Sequence, residues 1–348
     1  MVDWSLARQV AALSAGADDP GAYDVDLAAI CAELEGPVGE YTGLELGAPV
    51  PAPELVSRSE WASANLVSLA ELLDPVAARL DDRLGFAGPL AGALRVGAAA
   101  TVAAEAGLVM GYVSHRVLGQ YDVSLLAGDR PARLLFVAPN LRRAVSDMGV
   151  ERSAFERWIC AHELTHVFQF QGVPWLREHM SSLVREYLES VEVRIDRGAA
   201  GGLPSIPSPS RLVERFREGG LAALIQTREQ RSVMERLQAT MAVIEGHSEH
   251  VMDSLGERLI PDLATLRAAM ARRRGTRSAP ERVVERLLGL DMKLAQYKLG
   301  KSFCDAVVER GGMDALGAVW SEPAALPNPH ELNDPHAWLE RVGQPAAA

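Results

Sequence analysis

The sequence contains few cysteines, few aromatic residues and no long uninterrupted hydrophobic run. Its 348 residues include three cysteines, Cys31, Cys160 and Cys304, which are far apart in the chain and form no C-x-x-C pair. An odd number of widely spaced thiols is typical of a reducing compartment and argues against a fold stapled by disulfides. Because the N-terminus also lacks the basic and apolar segments of a secretory signal, we expect a cytoplasmic protein.

Positive charge is scarce as well. The chain has 35 Lys and Arg residues against 46 Asp and Glu residues, a formal net charge of −11. This balance disfavours nonspecific nucleic-acid binding as the main role. The local exception is a basic run made of Arg267, Arg272, Arg273, Arg274 and Arg277. Such a run is usually a solvated face, but it leaves open a helical module that binds an acidic partner.

The most membrane-like stretch, residues 88–113, is rich in Ala, Gly and Val. Arg95 and Glu105 divide it into uncharged pieces of about ten residues, which are too short to span a bilayer. We therefore expect no membrane partner here, and instead one or two buried helices that pack closely through small residues.

Helical periodicity dominates the rest of the chain. Apolar residues recur at spacings of three and four over 66–73 and 283–294, which marks one apolar face of a helix. The clearest strand signal, residues 134–138, is short and is closed by Pro139, a residue that suits a strand end or a sheet edge. We expect an edge strand there. The predicted fold class is mainly α with a small β element, an α+β fold.

Composition also predicts where the chain divides. Residues 198–209 have the Gly, Pro and Ser content of an exposed linker, and a second break is expected over 272–280. The predicted organisation is an N-terminal segment 1–60, a lobe 61–197, a helical lobe 211–320 and a C-terminal tail 321–348 that wraps the surface.

One short motif carries the chemistry. Residues 162–166 read His-Glu-Leu-Thr-His, an H-E-x-x-H pattern. Ser153 and Glu156 have the spacing of a capping box, and a stop follows at Gly172, so the pattern predicts a helix over 153–171. Both histidines fall on the apolar stripe of that helix, one turn apart, where two imidazoles can bind one tetrahedral Zn²⁺.

Glu163 lies about 100° round the helix from the first histidine, near the metal without ligating it. A carboxylate there can act as general base, since it takes a proton from a water whose pKa zinc has lowered to about 7. The alternative interpretation is a pair of core histidines hydrogen-bonded to backbone, with Glu163 as a solvated charge. Two buried imidazoles each need partners, however, and one metal satisfies both.

A zinc site of this kind takes three protein ligands and leaves the fourth position for water. Glu245 is the best third ligand, because it lies on the apolar stripe of a second predicted helix, where a carboxylate must be paired, protonated or bound to a cation. Gly246 beside it predicts a close approach to the motif helix. His247, Glu249 or His250 as ligand, and a salt bridge from Glu245 to an arginine, stay open.

The neighbours of Glu245 suggest supporting roles. His247 or His250 can donate a hydrogen bond to an oxyanion or fix a ligand, and Asp253 can orient a ligand histidine. Each of these residues is as compatible with an ordinary surface or core position.

Together these segments resemble the glutamate-type zincins, and more narrowly an actinobacterial family of uncharacterised zincin-like metallopeptidases linked to deazaflavin-cofactor biosynthesis. The resemblance implies a zincin-like fold and a site of His162, Glu163, His166 and Glu245. The chain lacks the N-E-x-x-S-D form around the ligand Glu, so the oxyanion-stabilising residue is open, with Tyr297 as a candidate. The matching stretches are 119–122, 135–140, 162–169, 245–247 and 288–297.

Three functions compete at this stage. The first is a zinc metallopeptidase or related hydrolase whose strand at 134–138 pairs with an extended peptide or protein substrate. The second is a zincin-shaped binding or assembly protein that keeps zinc without turnover, against which the presence of Glu163 counts. The third is the helical module that acts through the basic run. Nothing in the sequence bears on oligomeric state.

Overall fold

A computed structural model describes residues 2–17, 21, 23–84, 91–125, 130–190, 228–275 and 290–343. The predicted linker at 198–209 lies outside these residues, as does most of the second predicted break. Side chains are described for fewer residues, and those of 273–297 are not among them.

Helices account for most of the described chain, and three short strands form one sheet, which confirms the predicted α+β class. The strands are β1 (Pro53–Val56), β2 (Gly119–Asp122) and β3 (Arg133–Val137). The helices are α1 (Trp4–Ala15), α2 (Leu27–Thr42), α3 (Arg58–Leu84), α4 (Ala91–Ser114), α5 (Ala138–Met148), α6 (Arg152–Gly172), α7 (Leu176–Ser190), α8 (Arg228–Leu259), α9 (Leu263–Gly275), α10 (Leu290–Gly317) and α11 (Pro335–Gly343).

The sheet has the strand order β1-β3-β2, with β1 parallel and β2 antiparallel to β3. The predicted strand at 134–138 corresponds to β3, but its placement at a sheet edge is wrong, because β3 pairs on both sides. An extended substrate therefore has no open edge of β3 to join. Pro139 lies in the first turn of α5, where its missing N–H costs no helical hydrogen bond.

By its contacts the chain divides into two compact units, and neither is continuous in sequence. The first unit comprises residues 1–178 and 251–271, and the second comprises 179–250 and 272–348. Helix α8 contributes its residues up to 250 to the second unit and the remainder to the first. The lobe boundaries predicted from composition stay a prediction.

In the first unit, α6 packs against α2, α5 and β2 around one large apolar core. Phe136, Phe155 and Leu164 are fully buried there. Residues from the second stretch of this unit complete the core, namely Met252, Ile260, Leu263 and Leu266. The position of α6 is thus fixed by close packing of apolar side chains from many parts of the chain.

Helix α4 packs against α1 through small residues, as the sequence predicts. A Cβ on Gly107 would lie 2.5 Å from the backbone oxygen of Ala7. The expectation that this stretch is buried is wrong, because its outer face is open: Val96 is 70% exposed and Leu108 is 55% exposed. By length and composition alone, the segment Val96–Ser114 would suffice to cross a membrane, and 17% of it is buried.

In the second unit, α8 crosses α10 at a pair of glycines. A Cβ on Gly246 would overlap the backbone of Gly300, and a Cβ on Gly300 would overlap the carbonyl of Ala242. The predicted close approach at Gly246 is real, but its partner here is α10 and not the motif helix. Two backbones can come this near only where both residues lack a side chain.

The C-terminal part of the second unit folds onto α10. Trp338 of α11 is fully buried, meets Phe303 edge to face, and donates its indole N–H to the backbone oxygen of Ala325 at 2.7 Å. Arg341 forms a bidentate pair with Glu331.

Candidate metal centre

Helix α6 carries the H-E-x-x-H motif and spans Arg152–Gly172, one residue beyond the predicted range at each end. The predicted capping box is wrong, because the N-cap is Glu151, whose carboxylate accepts from the amides of Ser153 and Ala154. Glu156 makes other contacts. It is buried, accepts from the hydroxyl of Tyr23 at 2.7 Å and pairs with Arg152 at 2.6 Å.

His162 and His166 project from the same side of α6, as their spacing predicts. Their ring centroids are 4.8 Å apart and their planes stand at 85° to each other. His162 stacks on Trp158 with a centroid distance of 5.7 Å. The Nδ1 atom of His166 lies 2.8 Å from the side-chain oxygen of Gln169, so it donates there and leaves Nε2 to face a metal.

Burial, followed by the electrostatic influence of the neighbouring His166, holds the pKa of His162 well below its ordinary value. The imidazole of His162 is therefore neutral at neutral pH. Only the neutral form offers a lone pair, so protons compete weakly with a metal for this nitrogen.

Glu163 is buried and faces strand β2. Its Oε2 accepts a hydrogen bond from the backbone N–H of Tyr121 at 3.0 Å. Gly119, two residues earlier in the strand, leaves room for the carboxylate, since a Cβ there would lie 2.7 Å from Oε1 of Glu163. The side chain predicted as general base is thus held against backbone.

Glu245 on α8 completes a group of three possible ligands. One nitrogen each of His162 and His166 and one carboxylate oxygen of Glu245 all lie within 4.8 Å of one another. Tetrahedral zinc with bonds of about 2.0–2.2 Å separates its ligand atoms by about 3.3–3.6 Å. The group is therefore compact enough to be a candidate site for one ion.

The other residues predicted near Glu245 have partners of their own. His247 is buried and meets Trp320 edge to face, with ring centroids 5.3 Å apart. His250 places Nδ1 2.7 Å from Asp305, whose other oxygen pairs with Lys301. Asp253 forms an ion pair with Arg267, the first residue of the basic run. The side chain of Tyr297 lies outside the described residues.

Sequence reasoning missed several residues that support the site, namely Gly119, Tyr121, Trp158 and Gln169. Gln169 follows His166 by three residues, and that helical spacing was the available signal. Contact between β2 and Glu163 joins residues more than 40 positions apart, and no local pattern predicts it.

Two cysteines that are far apart in sequence meet behind α6. The thiols of Cys31 on α2 and Cys160 on α6 are both buried and unbridged, and they hydrogen-bond to each other. That hydrogen bond, together with burial, raises the pKa of Cys160. A neutral, buried thiol is a poor nucleophile, so this pair acts as core packing in the reduced protein.

The matches to known proteins agree with this geometry. A family model described as zincin-like metallopeptidase matches residues 2–339. The chain therefore belongs to the zincin-like metallopeptidase family. A search of curated proteins found no match.

A solved structure is similar over nearly the whole chain. It is the crystal structure of a protein from Chloroflexus aurantiacus described as a "putative hydrolase with a novel fold". The sequences are 30% identical, the match covers 99% of this chain and 100% of the other, and the TM-score is 0.73. The family match and the similar solved structure together support the assignment of this chain to the zinc-binding hydrolases.

Proposed function

We propose that this protein is a zinc-dependent hydrolase, and within that class a metallopeptidase that cleaves peptide bonds with water. The observation that supports it best is the group of His162, His166 and Glu245, whose ligand atoms lie within 4.8 Å of one another. Two imidazoles and one carboxylate are a donor set of catalytic zinc sites that leave one position for water. The residues present therefore fit the ion that the family implies.

The chain supplies the acid–base chemistry around the ion. Zinc held by these three residues would polarise a substrate carbonyl and lower the pKa of a water. Glu163 would serve as the general base and acid, taking up a proton from water and giving it to the leaving amine. Gln169 holds the ring of His166, and Trp158 stacks on His162, so both imidazoles are oriented before an ion arrives.

Metal analysis tests the first half of this proposal. We expect about one zinc per chain in the purified protein, and we expect His162→Ala or His166→Ala largely to abolish it, because two ligands hold the ion weakly. His336→Ala is a matched control, since His336 is exposed and pairs with Glu340 on α11. Full zinc retention in both ligand variants would overturn the site.

A peptide-library digest tests the second half. We expect the wild type to cleave, and Glu163→Gln to keep its zinc while losing about 10²-fold or more in turnover, the usual contribution of a general base. Unchanged turnover in Glu163→Gln would remove Glu163 from the mechanism. Zinc bound without any cleavage would favour a binding or assembly protein instead.

A further inference from the structure

Strand β2 does more than complete the sheet, because it contacts the residue proposed as general base. We infer that Gly119 and the backbone amide of Tyr121 form a positioning element that sets the orientation of the Glu163 carboxylate. This inference rests on the proposed function and adds to it two residues that touch the base without touching substrate.

The first observation is steric. A Cβ on Gly119 would lie 2.7 Å from Oε1, 2.8 Å from Cγ and 2.9 Å from Cδ of Glu163. Carbon atoms do not approach so closely without repulsion, so any side chain at position 119 displaces the carboxylate. The glycine is thus required by the place that Glu163 occupies, and not by a special backbone conformation.

The second observation is the hydrogen bond. In an antiparallel pair, alternate residues turn their N–H and C=O toward the partner strand. Leu118 accepts from Val137 in this way, so Tyr121 turns its N–H away from β3 and donates it to Oε2 of Glu163 at 3.0 Å. This hydrogen bond fixes the position of Oε2 and therefore the direction in which Oε1 points.

The third observation is that β2 is itself held from α3. The side-chain oxygen of Gln120 accepts from the indole N–H of Trp61 at 2.7 Å, and the Gln120 amide exchanges hydrogen bonds with Asn65. These contacts fix the residue between Gly119 and Tyr121. Because α3 holds β2 in place and β2 orients the Glu163 carboxylate, the carboxylate needs little rearrangement to accept a proton.

Gly119→Ala tests the inference with the full-length protein. We expect the Tyr121 amide to exchange with solvent about tenfold faster, which corresponds to one lost hydrogen bond to a charged group. We expect zinc content to stay at the wild-type level. On a peptide that the library selects, kcat should fall about tenfold or more with KM nearly unchanged, because only the orientation of the base is altered.

Two controls keep the result interpretable. The Val137 amide, bonded to Leu118, should keep its protection and so report an intact sheet. Gly36→Ala makes the same chemical change on α2, where a Cβ meets nothing within 4 Å, and it should leave Tyr121 exchange and turnover unaltered.

Variants of Glu163 test its hydrogen bond with the Tyr121 amide without any measurement of catalysis. Glu163→Ala should accelerate Tyr121 exchange, whereas Glu163→Gln should largely preserve its protection, because the amide oxygen still accepts. Wild-type exchange at Tyr121 in Glu163→Ala would overturn the inference. So would full turnover in a Gly119→Ala protein whose Tyr121 amide exchanges rapidly. Absence of cleavage by the wild type would instead count against the proposed function, and the exchange measurements would still stand.

Discussion

The two helices that carry the possible ligands are held in place by different means. Helix α6 is fixed by large apolar side chains, among them Phe155 and Leu164, which pack in the core of the first unit. Helix α8 is fixed in the second unit by a backbone crossing at Gly246 and Gly300. Helix α8 also buries apolar side chains such as Val243 and Ile244, but at the crossing with α10 the two backbones meet with no side chain between them.

This difference predicts unequal tolerance to change. A core of interdigitating side chains can repack around a substitution of similar volume at a cost below about 1.5 kcal/mol. A contact between two backbones cannot repack, because any added atom forces the helices apart. We therefore expect α6 to tolerate conservative substitution along its buried face, and α8 to be sensitive at its crossing with α10.

The largest effect should come from Glu245, the proposed ligand on α8. Glu245→Ala should lower zinc affinity by orders of magnitude and lower the melting temperature only when metal is present. If Glu245 served instead in a salt bridge, its loss would destabilise apo and zinc-loaded protein alike. Zinc affinity and melting temperature, measured side by side for Glu245→Ala and His247→Ala, distinguish a zinc ligand from a salt-bridge partner. Loss of metal in His247→Ala but not in Glu245→Ala would make the third ligand an imidazole.

The glycine crossing should give the next largest effect. We expect Gly300→Ala to destabilise the protein by about 3 kcal/mol, the upper part of the range for overpacking. Gly317→Ala, which lies beyond the break in α10 at Gly312, adds a methyl that meets nothing within 4 Å and should cost little. On α6, Leu164→Met should cost about 1 kcal/mol. Urea unfolding measures all three, and equal costs for Gly300→Ala and Gly317→Ala would contradict the comparison.

A middle-sized effect is expected at the start of α6. Tyr23→Phe removes the hydrogen bond to the buried carboxylate of Glu156 and should cost about 2 kcal/mol. Burial, and then Glu156, raise the pKa of Tyr23, so the unfolded chain loses this proton at a lower pH than the folded chain. The stability difference between wild type and Tyr23→Phe, measured from pH 7 upward, should therefore be constant to about pH 10 and shrink above it. A difference that grows with pH would be incompatible with this account.

The smallest effect is expected for an exposed ion pair between β1 and β3. Arg133 on β3 makes a bidentate pair with Glu54 on β1, and its hydrogen bonds lower the pKa of that carboxyl. Both side chains are 41% exposed, so solvent screens the pair and Arg133→Gln should cost less than about 1 kcal/mol. The contribution is present above the ordinary pKa of Glu and is lost as the pH falls through the lowered value. Unfolding measured between pH 3 and pH 7 checks this.

Local patterns predicted the parts of the molecule that depend on local physics. Helix α6 and its two histidines on one side follow from a hydrophobic period and an i, i+4 spacing, and the structure reproduces both. The cap was mispredicted because Ser153 and Glu151 compete for the same role, and the carboxylate one position outside the helix can reach two amides.

The sequence does not show which residues from distant parts of the chain contact each other. Gly246 signals a close approach, yet only the fold reveals that Gly300 is opposite. The strand at 134–138 is recognisable, but its central position depends on β1 and β2, whose patterns are weak. For α4, composition indicates an apolar helix, and whether its outer face is covered depends on neighbours that no local window contains.

The interrupted course of the first unit bears on how the protein is made. Its core includes Met252, Ile260, Leu263 and Leu266, so a nascent chain that has reached the end of α6 still lacks four of its buried side chains. The complete core of this unit becomes available only after the chain has been synthesised through Leu266. Long-range closure of this kind slows folding and lengthens the time for which apolar surface is open to chaperones. A fragment that stops before Val251 would leave that core unfinished, and so α6 is best studied in the full chain.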